Sequence, residues 1–226
     1  MKKYFYLFII LLIGSNAFAN TNHYKSITKI EMDVFRNGEK IGFSNYFFKH
    51  KNDEMEVKNN TEFEVKLLGV NLLSIKSKSI EKYKNNKLVS FNSNTIQNNK
   101  KKYVILKVNE ENNKFIINGS SFKGETKNNK VIGNWWNTKI LSATSQISPL
   151  SGSIKEQTVK LIKKEIVIIN DRSYDAIKFK LKSKNQDLPE DKKLDFDIWL
   201  DPKGGFIIKI SYERMGKWEY ILNNYE

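Results

Sequence analysis

The chain has 226 residues, a formal net charge of +14 and no cysteine. This length fits one large domain, which can bury a core without cross-links, and the lack of cysteine excludes disulfides, zinc–thiolate sites and thiolate catalysis. The charge would suit a polyanionic partner such as an anionic lipid surface. Lys, Asn and Ile recur along the whole chain, however, and AT-rich codon usage explains the basic excess more simply.

The first predicted element is a signal peptide. Two lysines precede an apolar run from Tyr4 to Ile13, and Ala17-Phe18-Ala19 has the small-x-small pattern that signal peptidase cleaves. The apolar run is about half of the ~20 residues that span a bilayer. We therefore expect residues 1–19 to be cleaved near Ala19, leaving one domain over residues 20–226 in the periplasm of a Gram-negative bacterium.

Alternation of polar and apolar residues dominates the rest of the chain. It places Phe63, Val65 and Leu67 on one face of a strand, opposite glutamate and lysine. Asn37-Gly38 between two apolar runs is a strong hairpin signal, because both residues readily adopt positive φ. The predicted strands are residues 27–36, 40–50, 54–67, 71–84, 87–97, 102–109, 114–120, 155–169, 173–184, 194–200, 206–214 and 217–224.

The short connections between these strands predict the fold class. Consecutive strands joined in this way form neighbouring hairpins, and an open sheet of about a dozen long strands curls. We predict an all-β fold, an antiparallel meander curled into a barrel or half-open barrel. Residues 121–153 break the alternation and are predicted to be one irregular segment that crosses or plugs the sheet, with a short helix near residues 135–141.

Several motifs, in their order along the chain, resemble a known family. They are Phe35–Gly42 (FRNGEKIG), Glu81-Lys82-Tyr83, Asn134-Trp135-Trp136-Asn137 and Trp199–Phe206 (WLDPKGGF). Together they resemble an uncharacterised family of exported bacterial all-β domains, a domain of unknown function. The resemblance implies a long-stranded sheet curled around an apolar centre, similar in outline to the half-barrel carriers of lipoprotein localisation, which hold acyl chains. It brings no catalytic residues.

The chain carries few candidates for catalysis. His23 and His50 have no serine or aspartate at a motif spacing, and phosphate-loop, dinucleotide and metalloprotease motifs are absent. Asp195 and Asp197 share a strand face, as a glycosidase pair could, but a solvated strand face explains them better. We expect Glu81 to pair with a neighbouring lysine. We predict no catalytic residue, no cofactor and no metal site.

The aromatic residues suggest a binding function. A tryptophan combines a large apolar surface with one polar group, which suits a pocket mouth, although packing of all four tryptophans in the core is the structural alternative. We predict a non-enzymatic periplasmic protein that binds an apolar ligand, such as a lipid acyl chain, in a concave sheet. Such a protein needs an apolar cavity of several hundred Å³. The residues predicted at the pocket mouth are Trp135, Trp136, Trp199, Tyr212 and Trp218.

Other partners and functions follow from the same features. The lysines would favour an anionic membrane surface, whereas nucleic acid does not suit an exported protein. One alternative function is a structural or interaction module of the cell envelope, with a packed interior and an exposed apolar patch or open strand edge. Another is a carboxylate-dependent enzyme acting on envelope glycans, which would show two facing carboxyl groups, at least one with a shifted pKa.

Overall fold

A computed structural model describes residues 21–226, so the predicted signal peptide lies outside the described residues. Strands dominate this part of the chain, with three short 3₁₀ helices at Thr21–Ser26, Thr138–Leu141 and Glu190–Lys192. No helix within residues 21–226 has the length and apolar character needed to cross a membrane. The strands are β1 (Lys29–Arg36), β2 (Glu39–Lys51), β3 (Glu54–Leu67), β4 (Val70–Lys84), β5 (Lys87–Gln97), β6 (Lys100–Asn109), β7 (Lys114–Gly119), β8 (Lys123–Lys127), β9 (Val131–Ile132), β10 (Ser145–Ile147), β11 (Ile154–Ile169), β12 (Arg172–Ser183), β13 (Asp195–Asp201), β14 (Phe206–Glu213) and β15 (Lys217–Tyr225).

All the described strands belong to one sheet, in the order β8-β7-β6-β5-β4-β3-β2-β1-β15-β14-β13-β12-β11-β10-β9. Neighbouring strands are antiparallel except for the parallel pair of β9 and β10. Pairing of β1 with β15 joins the two halves of the meander. The sheet is not closed, so the predicted all-β, half-open barrel is confirmed, and each predicted strand agrees with an observed one to within two residues at either end.

The predicted irregular segment does cross the sheet. Ile132 of β9 and Ile147 of β10 pack in one apolar cluster with inward residues of β5, β6 and β7, such as Phe91 and Leu106. The Ser93 hydroxyl on β5 donates a hydrogen bond of 2.5 Å to the carbonyl oxygen of Pro149. The last strands of the sheet therefore lie against the inner face of its first half. The three short strands β8, β9 and β10 were not predicted, because none is long enough to show alternation.

Alternation along β4 decides which side chains reach the interior. From Lys76 to Lys84 the exposed positions hold four lysines and Ile80, and the intervening residues are buried. Antiparallel sheets with one solvated face show this period of two. The buried row on β4 consists of Ile75, Ser77, Ser79, Glu81 and Tyr83.

Gly42 on β2 has no room for a side chain beside β3. A Cβ atom at this position would lie 2.1 Å from the carbonyl oxygen of Glu62 and 2.6 Å from the Cβ of Phe63, the residue paired with Gly42 on β3. Both atoms are held by the sheet and cannot move aside. We expect Gly42→Ala to lower the free energy of unfolding by about 1–3 kcal/mol, the usual cost of overpacking. Denaturant titration measures this, and an unchanged midpoint would contradict the contact.

Candidate functional site

A cavity of about 470 Å³ lies between β2–β5 and the final strands, beside the crossing segment. Its size falls within the range of roughly 300–1,000 Å³ that is usual for small-molecule pockets. Aromatic and aliphatic side chains from both halves of the sheet supply most of the wall. The apolar lining residues are Tyr46, Phe63, Val65, Leu72, Leu73, Ile75, Trp135, Pro149, Leu150, Leu194, Phe196, Tyr212, Met215, Trp218 and Tyr220.

An aromatic cluster forms one side of this cavity. The rings of Tyr212 and Trp218 are stacked with centroids 5.8 Å apart, and Phe63 meets Trp218 edge-on at 5.7 Å. Phe196 joins the cluster to the crossing segment, because its ring lies 5.1 Å from that of Tyr212 and 5.0 Å from that of Trp135. Such edge-to-face pairs add stability beyond the area they bury, so this side of the cavity is preformed.

Another part of the cavity wall carries short hydroxyl side chains, several of which form hydrogen bonds within the protein. The hydroxyl oxygens of Ser44 and Thr61 lie 2.7 Å apart, and those of Ser77 and Thr95 are separated by the same distance. A buried polar group is costly only when it lacks a partner. An apolar molecule against this wall would therefore leave these hydroxyls satisfied.

Three of the five residues predicted at a pocket mouth line this cavity, namely Trp135, Tyr212 and Trp218. They come from the crossing segment, β14 and β15, which are distant in sequence and meet only when the sheet curls. Their position at the mouth of a pocket and a binding role both remain predictions.

Trp136 is not at the mouth, and the prediction of its position was wrong. Its side chain is 1 % exposed and lies in the main core cluster, where its ring meets those of Tyr24, Phe48 and Tyr83 edge-on at 5.2–5.6 Å. The carbonyl oxygen of Trp136 also accepts a hydrogen bond from the Tyr24 hydroxyl. The chain bends at Trp135 and Trp136, and the two side chains separate there, with Trp135 lining the cavity and Trp136 packing in the core.

Trp199 is also absent from the cavity, and its predicted position was wrong. On β13 it lies on the outer face of the sheet, where the ammonium groups of Lys178 and Lys209 lie 4.7 and 5.3 Å from its ring centroid. Its indole nitrogen donates a hydrogen bond of 2.8 Å to Glu165. Alternation places Ile198 and Leu200 inside, which leaves Trp199 outside, beneath the two lysine ammonium groups.

The most unusual group near the cavity is the buried carboxyl of Glu81, which is 1 % exposed. It accepts hydrogen bonds from the Tyr83 hydroxyl at 2.6 Å, from the Trp136 indole at 2.9 Å and from the side-chain amide of Asn134. Burial raises the pKa of Glu81 to about 7, because removal of water penalises the charged form more than the three hydrogen bonds favour it. This carboxyl therefore changes charge near neutral pH and ties the crossing segment to β4.

The expectation that Glu81 pairs with a neighbouring lysine was wrong. Lys82 is adjacent in sequence, but successive strand residues face opposite sides, and Lys82 lies with Lys76 on the exposed face. Glu81 instead lies on the same buried face of β4 as Ile75 and Tyr83. The sequence carried this signal, since the lysines of β4 all occupy even-numbered positions and Glu81 does not.

The network around Glu81 separates the 470 Å³ cavity from a second one. Asn134 lines the first cavity, whereas Tyr83 and Asn137 line a second cavity of about 790 Å³ at the other end of β4. The Asn137 amide donates a hydrogen bond of 3.4 Å to the Tyr83 hydroxyl. Turn asparagines and lysines dominate the walls of the second cavity. The crossing segment therefore lies between a mainly apolar cavity and one with mixed polar and apolar walls.

Asp195 and Asp197 lie on the outer face, as the interpretation of a solvated strand face predicted. Asp195 forms salt bridges with Lys180 and Lys182, and Asp197 forms them with Lys178 and Lys180. Within residues 21–226, no other carboxyl group is among the hydrogen-bond partners of Glu81. The same part of the chain holds no cluster of three or more histidine, aspartate or glutamate side chains placed to bind a metal ion.

Comparison with known families agrees with the predicted resemblance. A family model described as a domain of unknown function (DUF6134) matches residues 32–223. The chain belongs to this family. The DUF6134 match runs from β1 to β15 and so includes both cavities and the Glu81 network. No curated protein matches the chain.

A solved structure supports the fold of this DUF6134 chain. It is the crystal structure of a beta-barrel-like protein of domain of unknown function DUF1849 from Brucella abortus, with a TM-score of 0.62 and 10 % sequence identity. The similarity covers 88 % of this chain and 97 % of that protein. At this level of identity the comparison supports the architecture alone.

Proposed function

We propose that this protein is an exported, non-enzymatic binding protein of the Gram-negative periplasm, which holds an apolar ligand such as a lipid acyl chain. The observation that carries the proposal is the preformed apolar cavity of about 470 Å³ inside the half-open barrel. Its aromatic side supplies contact area, and its hydroxyl wall is internally hydrogen-bonded. Pockets with these properties suit apolar molecules.

Trp135 is the residue best placed to control the ligand. It is half-buried, lines the cavity, and packs edge-on against Phe196 of the aromatic cluster. The Tyr46 hydroxyl accepts a hydrogen bond of 3.3 Å from the backbone amide of Trp135 and holds this part of the crossing segment in place. We expect the indole to cover the bound chain, because a rigid aromatic group gives large contact area at low entropic cost.

Native mass spectrometry of the protein purified from a bacterial periplasm tests the proposal. We expect a co-purifying lipid in a fixed ratio, recoverable by organic extraction. Trp135→Ala should weaken its binding on the order of tenfold, as expected for loss of an aromatic anchor. Trp199→Ala is the matched control, because it removes the same side chain from the outer face. A protein mass without lipid, and no extractable lipid in the wild type, would contradict the proposal.

One observation favours a second candidate, an interaction module of the cell envelope. One edge of β11 pairs with β12. Along its other edge only Ile154–Glu156 pair, with β10, and the described residues supply no strand partner for the rest of that edge. This edge exposes Leu161, Ile162, Ile166 and Ile168. Open strand edges can accept a strand from another chain. Loss of a co-purifying protein after Ile166→Lys, with lipid binding retained, would favour this function.

A further inference from the structure

The charged residues that line the 470 Å³ cavity in the described chain are all basic. They are Arg36, Lys155 and Arg214, and no aspartate or glutamate lines this cavity. Arg36 lies over the ring of Trp218, with 5.9 Å between its guanidinium carbon and the ring centroid. A mainly apolar pocket whose charged lining residues are all positive favours a ligand with a negative charge.

These cations are held by neutral partners. Arg214 donates a hydrogen bond of 2.8 Å to the carbonyl oxygen of Lys193, and Lys155 donates one of 2.9 Å to that of Lys192. Arg36 donates to the carbonyl oxygen of Met215. None of the three forms a salt bridge with any residue in the range 21–226. Backbone carbonyls orient these groups without neutralising them, so their charge remains available to a ligand.

Lys155 and Arg214 also lie close enough to influence each other. Partial burial lowers the pKa of Lys155, the positive charge of Arg214 acts in the same direction, and Asp191 opposes both. Two like charges at the side of an apolar cavity are unfavourable in the empty protein. An anion bound between them would relieve this repulsion and would form charge-assisted hydrogen bonds.

We propose that the ligand is an anionic amphiphile, whose single acyl chain occupies the apolar part of the cavity and whose carboxylate or phosphate head group is bound by Lys155 and Arg214. This inference rests on the proposed function and specifies the class of its ligand. The guanidinium of Arg214 can donate hydrogen bonds to either head group from Nη1 and Nε, because Nη2 already donates to the carbonyl oxygens of Glu190 and Lys193. Lys155 supplies a second positive charge.

The test compares three ligands of equal chain length, dodecanoate, dodecyl phosphate and dodecanol, by isothermal titration calorimetry below their aggregation concentrations. We expect both anions to bind the wild-type protein at least about tenfold more tightly than dodecanol. The Lys155→Gln and Arg214→Gln double variant should lose that advantage while binding dodecanol as before. The ratio of the two anions shows whether the site prefers a carboxylate or a phosphate.

Two sets of variants separate charge from folding. Lys160→Gln removes an exposed lysine from the same strand, β11, and should leave all three affinities unchanged. Lys155→Arg and Arg214→Lys keep the charge and should keep most of the preference for anions. Equal binding of dodecanol and the anions by every protein would overturn this inference and leave the proposed function intact. Failure of all three ligands to bind would contradict the proposed function itself.

Discussion

Replacing Glu81 with glutamine is expected to remove the fall in stability that ionisation of this carboxyl causes between pH 4.5 and about pH 7. In the folded protein the carboxyl has a pKa of about 7, against 4.5 as the ordinary value. Between these values the folded state binds more protons than the unfolded state, so the free energy of unfolding falls as the pH rises. Glutamine stays neutral at every pH and resembles the protonated acid.

The expected size of this effect follows from the pKa difference. Ionising Glu81 inside the protein should cost about 3 kcal/mol at pH 8 relative to pH values below 4.5, as an order of magnitude. Glutamine keeps a carbonyl oxygen for Asn134 and Trp136, and its amide can donate to the Tyr83 hydroxyl in place of the acid proton. The variant should therefore match the wild type at low pH and be more stable than the wild type at pH 8.

Denaturant titrations at several pH values measure both effects. Glu54→Gln is the control, because Glu54 is exposed on β3, and its curve should follow that of the wild type. Other carboxyl groups titrate in every variant, so the difference between the wild type and Glu81→Gln isolates this one residue. Parallel curves for these two proteins would show that Glu81 is already ionised at no cost, and would contradict the shifted pKa.

The sequence predicted what depends on local pattern. Long strands such as β4 show alternating polar and apolar residues, and asparagine turns mark their ends. The strand bounds and the half-open barrel could therefore be predicted from residues that are close together in the chain. The family resemblance was confirmed as well, and most of its motifs lie on these strands and turns. The short strands β9 and β10 have no such pattern and exist only because distant residues pack against them.

The candidate site could be predicted only in part, for a related physical reason. Trp135, Tyr212 and Trp218 share a cavity because the sheet curls and the crossing segment turns inward, which no local pattern records. Tandem tryptophans indicate that one side chain faces each way, but not which faces the core. Glu81 is different, since its position on the inward row of β4 could be inferred from alternation once the lysines were assigned to the solvent.

Trp136→Ala is expected to cause the largest loss of stability of the substitutions considered, about 3–5 kcal/mol in the free energy of unfolding. The ring is almost fully buried, packs edge-on against three aromatic rings, and donates a hydrogen bond to Glu81. Its removal leaves a cavity beside a buried carboxyl. Trp199→Ala, on the outer face, should cost much less, and thermal or denaturant unfolding of both variants measures the difference.

Trp136→Phe separates the packing of the ring from its hydrogen bond. Phenylalanine retains much of the aromatic contact but cannot donate to Glu81, and that hydrogen bond is one of those that lower the pKa of the carboxyl. The loss of stability in this variant should therefore extend to higher pH than in the wild type. An unchanged pH profile would show that the indole does not stabilise the carboxylate. Because Trp136 supports the core, a loss of ligand in Trp136→Ala would report unfolding, whereas Trp135→Ala tests the cavity itself.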